Sequence, residues 1–167
     1  NLSAKAIMGI AGYGKLASML GKQDIADKYT NEAKKMAQEW IRMANDEDHF
    51  RLTFDKPGTW SQKYNLVWDK LLNLGIFPAD VAQKEIAYYL TKQNKYGLPL
   101  DNRRTYTKSD WIIWTATLAK DKETFEKIGI AENRLAYKRR LLKSVGASTT
   151  KVAGRRCRNA GQPFDYG

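Results

Sequence analysis

The sequence predicts an all-α fold of antiparallel helical hairpins with long loops between them. Apolar residues recur every three to four positions through most of the first 128 residues, which is the period of an amphipathic helix. Gly and Pro separate the successive helical stretches, as they do at helix ends. A chain of 167 residues with 43% hydrophobic residues is long enough to bury one core. It contains no run of 18 apolar residues, so we expect no membrane-spanning helix.

The first hairpin is predicted to join helices over residues 2–20 and 24–44, with a stop at Gly21 and a cap at Asp24. The second of these helices has the clearest period. Its apolar positions are Ile25, Tyr29, Ala33, Met36, Ala37, Trp40, Ile41 and Ala44. Three glycines interrupt the first helix: Gly9, Gly12 and Gly14. Each costs about 1 kcal/mol relative to Ala, so we expect the backbone of this helix to pack closely against its neighbours.

An irregular stretch over residues 45–60 follows the first hairpin. Phe50, Leu52 and Phe54 alternate there with polar residues, which predicts a short strand. Residues 56–58 read Lys-Pro-Gly and predict a turn. Unstructured loops of this length between helices are typical of functional segments.

Two further hairpins are predicted beyond this loop, with a second irregular stretch over residues 94–108 between them. Their helices begin at residues that cap or initiate a helix: Ser61, Pro78, Ser109 and Asp121. The third helix is expected to end near Leu74, and the sixth carries an apolar stripe that continues to Val145.

Charge divides the chain into a nearly balanced body and a basic end. Residues 1–128 contain 20 of the 29 Lys and Arg and 16 of the 18 acids, a net charge of +4, whereas residues 129–167 carry +7. We therefore predict a partial helical domain over 1–128 and a basic C-terminal extension, divergent or non-native, over 129–167. The extension makes nucleic-acid or acidic-surface binding an alternative function, but no nucleic-acid-reading motif supports it, and we do not expect such a partner.

The loop before the fifth helix concentrates groups that can act in hydrolysis. Within ten residues it contains Asp101, Arg103, Arg104, Tyr106, Lys108 and Asp110. Hydrolysis of an amide or a glycosidic bond needs a general acid and a base, commonly two carboxylates. Cationic side chains can hold a polar substrate beside them. The structural alternative is a solvated loop in which Asp and Arg pair with one another.

A second candidate group lies around the third helix. Asp69 stands beside Trp68 in an otherwise apolar helix, where it could be a buried acid or a helix-edge residue with a backbone or Lys partner. Trp60 and Trp111 could stack on a substrate ring or pack in the core.

Metal and cofactor chemistry is not expected. Cys157 is the only cysteine and His49 the only histidine, which excludes an internal disulfide and a multi-Cys zinc site. The sequence has no phosphate loop and no dinucleotide fingerprint.

Three stretches carry a family resemblance. They are WSQKYNLVWDKLL at 60–72, YGLPLDNR at 96–103 and YTKSDW at 106–111. Together with residues 1–20 they resemble the C-terminal helical domain of the secreted glutaminase family of fungi and Bacteroides-like bacteria. That family hydrolyses L-glutamine to glutamate and ammonia, and its helical domain resembles the six-hairpin toroid of many glycosidases. The resemblance covers about residues 1–128.

The resemblance implies a partial (α/α) toroid and part of an amidohydrolase, inactive alone. Given that activity, we expect water to attack the glutamine side-chain amide, with a base among Asp69, Asp101 and Asp110; these residues are chosen by their chemistry, since the resemblance does not assign their roles. Arg103 or Lys108 would hold a substrate carboxylate. The remaining predicted substrate-binding residues are Tyr106, Trp60 and Trp111.

Family members are several times longer and carry a β-rich N-terminal region, which we expect to be a partner of this domain. The resemblance also implies a secreted or periplasmic location, and the open flanks of a partial toroid predict self-association. The main alternative function is a carbohydrate-active domain on the same fold, with Trp60, Trp111 and Trp114 as a sugar platform.

Overall fold

The computed structural model describes residues 1–95, 97–129 and 149–151. Its helices and strands are α1 (Leu2–Met19), α2 (Gln23–Ala44), β1 (Asn45–Asp46), β2 (His49–Phe50), α3 (Val67–Leu71), α4 (Ala79–Lys92), β3 (Tyr106–Lys108), α5 (Ser109–Ala116), α6 (Lys122–Gly129) and β4 (Thr149–Lys151). The predicted all-α fold is confirmed, because helices dominate the described residues, α1 packs against α2 and α5 against α6, and the strands form two-residue and three-residue pairs. None of the helices in the described part combines the length and the apolar character that a membrane crossing requires.

The first hairpin turns where the sequence predicts it. Gly21 has a φ of 71°, which is the left-handed conformation that glycine adopts without strain. Asp24 was predicted to cap α2, and this is wrong. The helix begins at Gln23 with Lys22 at the capping position, and Asp24 lies in the first turn, where its negative charge interacts favourably with the positive end of the helix dipole.

The three glycines of α1 lie in two different environments. A Cβ on Gly14 would lie 2.9 Å from Thr30 Oγ1 and 3.2 Å from the Ala26 carbonyl oxygen. The two helices α1 and α2 can therefore approach this closely because Gly14 has no side chain. Gly9 and Gly12 have no such neighbour within 4 Å among the described residues. The predicted close packing therefore holds at Gly14 and fails at the other two, which lie on the outer face of α1.

The strand in the first loop is shorter than predicted. β2 contains Phe50 and pairs antiparallel with β1, with Asn45 opposite Phe50. Leu52 and Phe54, predicted to continue this strand, instead lie in bends and a turn, because the Leu52 N–H donates to the Thr59 carbonyl across the loop. The turn predicted at residues 56–58 is present, with Gly58 at a φ of 73°.

The third helix is also much shorter than predicted. Ser61 does not cap a helix, since residues 61–63 are buried outside any helix, with Ser61 in a β-bridge to Asp101, and a 3-10 turn at Tyr64–Leu66 leads into the five-residue helix α3. Hydrogen bonds to residues far along the chain hold this segment in place, and the local pattern of apolar residues does not reveal such contacts. Pro78 directly precedes α4, as predicted.

Of the two helix caps predicted in the third hairpin, one is confirmed and one is wrong. Asp121 caps α6 as predicted, because its Oδ1 accepts the Thr124 N–H at 2.8 Å. Ser109 is instead the first residue of α5, and no side-chain hydrogen bond caps that helix. The predicted continuation of the sixth helix to Val145 lies outside the described residues.

The core lies between the first hairpin, α4 and the segment 60–66. Aromatic side chains from each element meet there: Trp40 packs on Phe50 with ring centroids 5.0 Å apart and on Phe77 at 5.5 Å. Tyr89 and Leu98 are completely buried beside them. This packing places the segment 60–66 against the second loop, and that contact builds the candidate site.

We propose that the outer face of α1 mediates self-association of the isolated chain. Leu2, Gly9, Gly12 and Leu16 share one helical stripe with Leu20 just beyond it, and the three leucines are 83%, 59% and 73% exposed. We expect the 167-residue chain to sediment above its 19.1 kDa monomer mass at micromolar concentration. Leu16→Lys combined with Leu20→Lys should restore the monomer, with Lys15→Gln as a polar control on the same helix. A compact wild-type monomer would contradict the proposal.

Candidate active site

Two distant segments form one platform. The Gln62 N–H donates to the Leu100 carbonyl at 2.7 Å, and the Asn102 N–H donates to the Trp60 carbonyl at 3.3 Å. Ser61 and Asp101 face each other in this antiparallel bridge. Two of the stretches that carry the family resemblance are therefore neighbours in space.

Gln62 ties the platform to α5. Its fully buried Nε2 lies 2.9–3.1 Å from the carbonyls of Leu98 and Pro99 and from Thr107 Oγ1. Its Oε1 accepts a hydrogen bond from the Thr115 hydroxyl at 3.0 Å. A buried amide with several partners fixes the positions of all the chains it contacts. Gln62 therefore sets where the second loop enters α5.

A fully buried group of charges lies directly beneath. Lys63 Nζ donates to the Phe50 carbonyl at 2.8 Å and to the Ser61 carbonyl at 3.0 Å, and it lies 3.8 Å from Glu85 Oε2. The Phe50 N–H donates to Glu85 Oε1 at 2.7 Å, and the Tyr89 hydroxyl hydrogen-bonds Glu85. Burial lowers the pKa of Lys63 and raises the pKa of Tyr89 well above its usual value.

This buried group was not predicted from the sequence. Lys and Glu are almost never fully buried unless they are paired, and the pair is separated by 22 positions between Lys63 and Glu85. The sequence gives no local signal for it, because Lys63 follows the polar residues Ser61 and Gln62. The hydrogen bonds of this buried group hold Ser61, and with it the platform, in place.

Asp101 is buried and already paired. Its Oδ1 accepts the Arg103 N–H at 2.8 Å, and its Oδ2 accepts Arg103 Nη2 at 2.7 Å. Asp101 is 5% exposed, whereas the Arg103 side chain is 64% exposed, and the pairing raises the pKa of Arg103. This ion pair agrees with the alternative interpretation of the loop, in which Asp and Arg pair with one another.

Asp110 lies in a cluster with aromatic rings. It occupies the first turn of α5, and its Oδ1 is buried with no hydrogen-bond partner among the described residues. The Tyr64 ring stacks on Trp111 with centroids 4.6 Å apart and planes 7° apart, and Lys108 Nζ lies 4.5 Å from the Trp111 centroid. Burial and the Asp110 carboxylate raise the pKa of Tyr64. Tyr64 is therefore a site residue that the sequence-based list left out.

Asp69 lies in a different place. Its carboxylate accepts the N–H groups of Ile76 at 3.0 Å and Phe77 at 2.7 Å, which closes the turn between α3 and α4. It also lines a cleft of about 440 Å³ that extends to Lys120 and contains neither Asp101 nor Asp110. The three predicted carboxylates therefore do not share this cleft.

The remaining predicted residues are divided between the core and the loop. Trp60 is 7% exposed and packs against Tyr88 and Tyr89, with centroids 6.0 and 6.2 Å away. Tyr106 and Lys108 belong to β3, whose backbone pairs with β4, Tyr106 opposite Lys151. Within the described ranges, no group of three or more His, Cys, Asp or Glu side chains lies close enough to hold a metal ion.

The fold and the site define a helical-hairpin domain in which residues 60–62 and 100–102 form one hydrogen-bonded platform close to the start of α5. The chain belongs to the glutaminase A family: the family model described as the glutaminase A six helical-hairpin domain matches residues 1–139. The predicted resemblance is confirmed. The match extends past residue 128, and the predicted boundary at 128/129 stays a prediction.

Two curated relatives support the assignment. Glutaminase A of Aspergillus oryzae is 34% identical over 125 residues, which cover 72% of this chain and 18% of the relative. A protein named probable glutaminase from Arthroderma benhamiae is 29% identical over 148 residues, which cover 71% of this chain and 17% of the relative. The chain thus spans less than a fifth of the length of either relative.

Proposed function

We propose that this domain contributes to hydrolysis of the side-chain amide of L-glutamine, giving glutamate and ammonia. The observation that carries the proposal is the family match over residues 1–139, with a relative named glutaminase A at 34% identity. The geometry then favours one carboxylate among the three candidates. Both oxygens of Asp101 are held by Arg103, and Asp69 closes a turn, whereas Asp110 keeps a buried oxygen with no hydrogen-bond partner among the described residues.

Asp110 is the proposed general base. Its carboxylate would take a proton from the attacking water as the water oxygen bonds to the amide carbon. Asp110 would then pass this proton to the amide nitrogen, and the C–N bond would break to release ammonia and leave the glutamate carboxyl group. Tyr64 stays protonated because its pKa is raised, so its hydroxyl is available as a hydrogen-bond donor to the oxygen that gains charge. Lys108 and the exposed Arg103 guanidinium are proposed to hold the substrate carboxylate, with Tyr106 beside them.

The carbohydrate alternative receives less support from the aromatic side chains. A sugar platform needs an open ring face, but Trp60 is buried in the core. The Trp111 ring already contacts Tyr64 and Lys108, and Trp114 packs on Trp68 with centroids 5.4 Å apart. The basic residues that raised the nucleic-acid alternative lie mostly outside the described ranges, and nothing in the described part adds to it.

We also propose that the isolated chain has little or no glutaminase activity, because it spans less than a fifth of the relatives named glutaminase. The test is ammonia release from glutamine by the 167-residue chain and by the full-length product of its gene, at equal molar concentration. We expect release from the full-length product and little from the chain. Robust release by the chain alone would contradict this proposal while leaving the proposed chemistry standing.

A further inference from the structure

The two cations proposed to meet the substrate carboxylate differ in their surroundings. Arg103 is already bound, since its backbone N–H and its Nη2 donate to the two oxygens of Asp101 at 2.8 and 2.7 Å. Its side chain is 64% exposed, so water screens what remains of its charge. Arg103 and Asp101 together carry no net charge, and a second carboxylate gains little by approaching this pair.

Lys108 has no such partner. It is the last residue of β3, with an extended backbone at φ −108° and ψ 143°, and it directly precedes α5. Among the described residues it takes part in no ion pair, and its Nζ lies 4.5 Å from the centroid of the Trp111 ring. The residue is half-buried. Lys108 therefore carries a positive charge that no described carboxylate neutralises by direct contact.

The Trp111 ring limits where this charge can lie. An indole ring attracts a cation more strongly than any other aromatic side chain does. Trp111 belongs to the first turn of α5, and Tyr64 stacks on it with centroids 4.6 Å apart, so the ring is itself held in place. A lysine side chain is long and flexible. Contact with a fixed ring therefore keeps the ammonium group of Lys108 close to the start of α5.

The ammonium group and the proposed base lie within the reach of one glutamine molecule. Lys108 and Asp110 flank Ser109, so their Cα atoms are at most about 7.6 Å apart. The carboxylate carbon and the amide carbon of an extended glutamine are about 5 Å apart, from C–C bonds of about 1.5 Å. Burial and the Asp110 carboxylate raise the pKa of Tyr64, which stacks on Trp111, so Asp110 lies close to the same pair of rings.

We propose, on the basis of the proposed hydrolysis of glutamine, that Lys108 selects the substrate by its α-carboxylate and that Trp111 is the positioning residue for the Lys108 ammonium group. Arg103 mainly closes its own turn with Asp101. A substrate that lacks the negative charge loses the contact with Lys108. A variant that lacks the ammonium group no longer distinguishes the two kinds of substrate.

The test compares two substrates of the full-length product of the gene. L-Glutamine carries an α-carboxylate, whereas its α-N-methylamide carries a neutral group there and can release ammonia only from its side-chain amide. We expect kcat/KM for ammonia release to be about 10- to 100-fold higher for glutamine, the usual value of a hydrogen bond to a charged group. Lys108→Met should remove most of this preference by raising KM for glutamine, and Lys108→Arg should retain most of it.

Further variants separate selection from general damage. Lys92→Met removes an ammonium group that lies 4.7 Å from the Tyr88 centroid on α4, and it should leave the preference within about twofold. Trp111→Leu should reduce the preference by about two- to fivefold while kcat for glutamine is largely retained. Trp111→Phe keeps a ring beside Lys108 and should recover part of the preference.

Equal kcat/KM for the two substrates in the wild type, or an unchanged preference in Lys108→Met, would overturn the proposal, because another group would then bind the carboxylate or none would. If Lys108→Met loses its helical circular dichroism, the comparison of Trp111→Leu with Trp111→Phe decides in the same way. Release of no ammonia from either substrate would instead overturn the proposed hydrolysis of glutamine, and the role of Lys108 with it.

Discussion

Replacing Lys63 by Met is expected to destabilise the domain by about 3–5 kcal/mol, since removal of one partner leaves a buried charge uncompensated. Lys63 and Glu85 are fully buried and 3.8 Å apart. The change also removes the donor to the carbonyls of Phe50 and Ser61. Chemical denaturation monitored by tryptophan fluorescence measures the loss.

Two variants make this expectation specific. Lys34→Met removes an exposed lysine from α2 and should change the free energy of unfolding by less than about 0.5 kcal/mol. The double variant Lys63→Met with Glu85→Met removes both charges and should recover part of the loss. A Lys63→Met chain as stable as the wild type would show that the buried pair does not hold the platform.

Asp110→Asn in the full-length product is expected to lower the turnover number for ammonia release from glutamine by about 10² to 10⁴, the usual contribution of a general base. The amide keeps the shape of the carboxylate but cannot take a proton from water. Helical content, followed by circular dichroism, should stay unchanged, because Asp110 Oδ1 makes no hydrogen bond to the described part of the chain.

Asp80→Asn is the matched control for this variant. Asp80 also lies in the first turn of a helix, α4, and is exposed. The same chemical change there should leave turnover within about twofold, because a single surface substitution rarely affects stability or structure. Near-normal turnover in Asp110→Asn would remove Asp110 from the mechanism, and Asp101 would be the next carboxylate to test.

Local patterns predict most helices of this domain because the helices depend on nearby residues. The period of α2, the stop at Gly21, the start after Pro78 and the cap at Asp121 all follow from contacts within a few positions. The failure at Ser61 has a definite cause. Residues 61–63 carry polar side chains that look like a helix start, but Gln62 bonds to residues 36 to 53 positions away.

The candidate site was predictable only where its residues are close together in the sequence. The loop containing Asp101, Arg103 and Asp110 was found by its composition. The separate locations of Asp69 and Asp110 could not be inferred from sequence, since they depend on how α3 and α5 pack. Tyr64 was missed as a site residue because its role arises from stacking on Trp111, 47 positions further along the chain.

A substrate panel on the full-length product of the gene distinguishes the proposed glutamine hydrolysis from the carbohydrate alternative. The purified protein would be incubated with L-glutamine and, separately, with a set of aryl glycosides, and ammonia and phenol release would be measured under the same conditions. We expect ammonia release from glutamine and no glycoside hydrolysis. Hydrolysis of a glycoside with no release of ammonia from glutamine would contradict the proposed function.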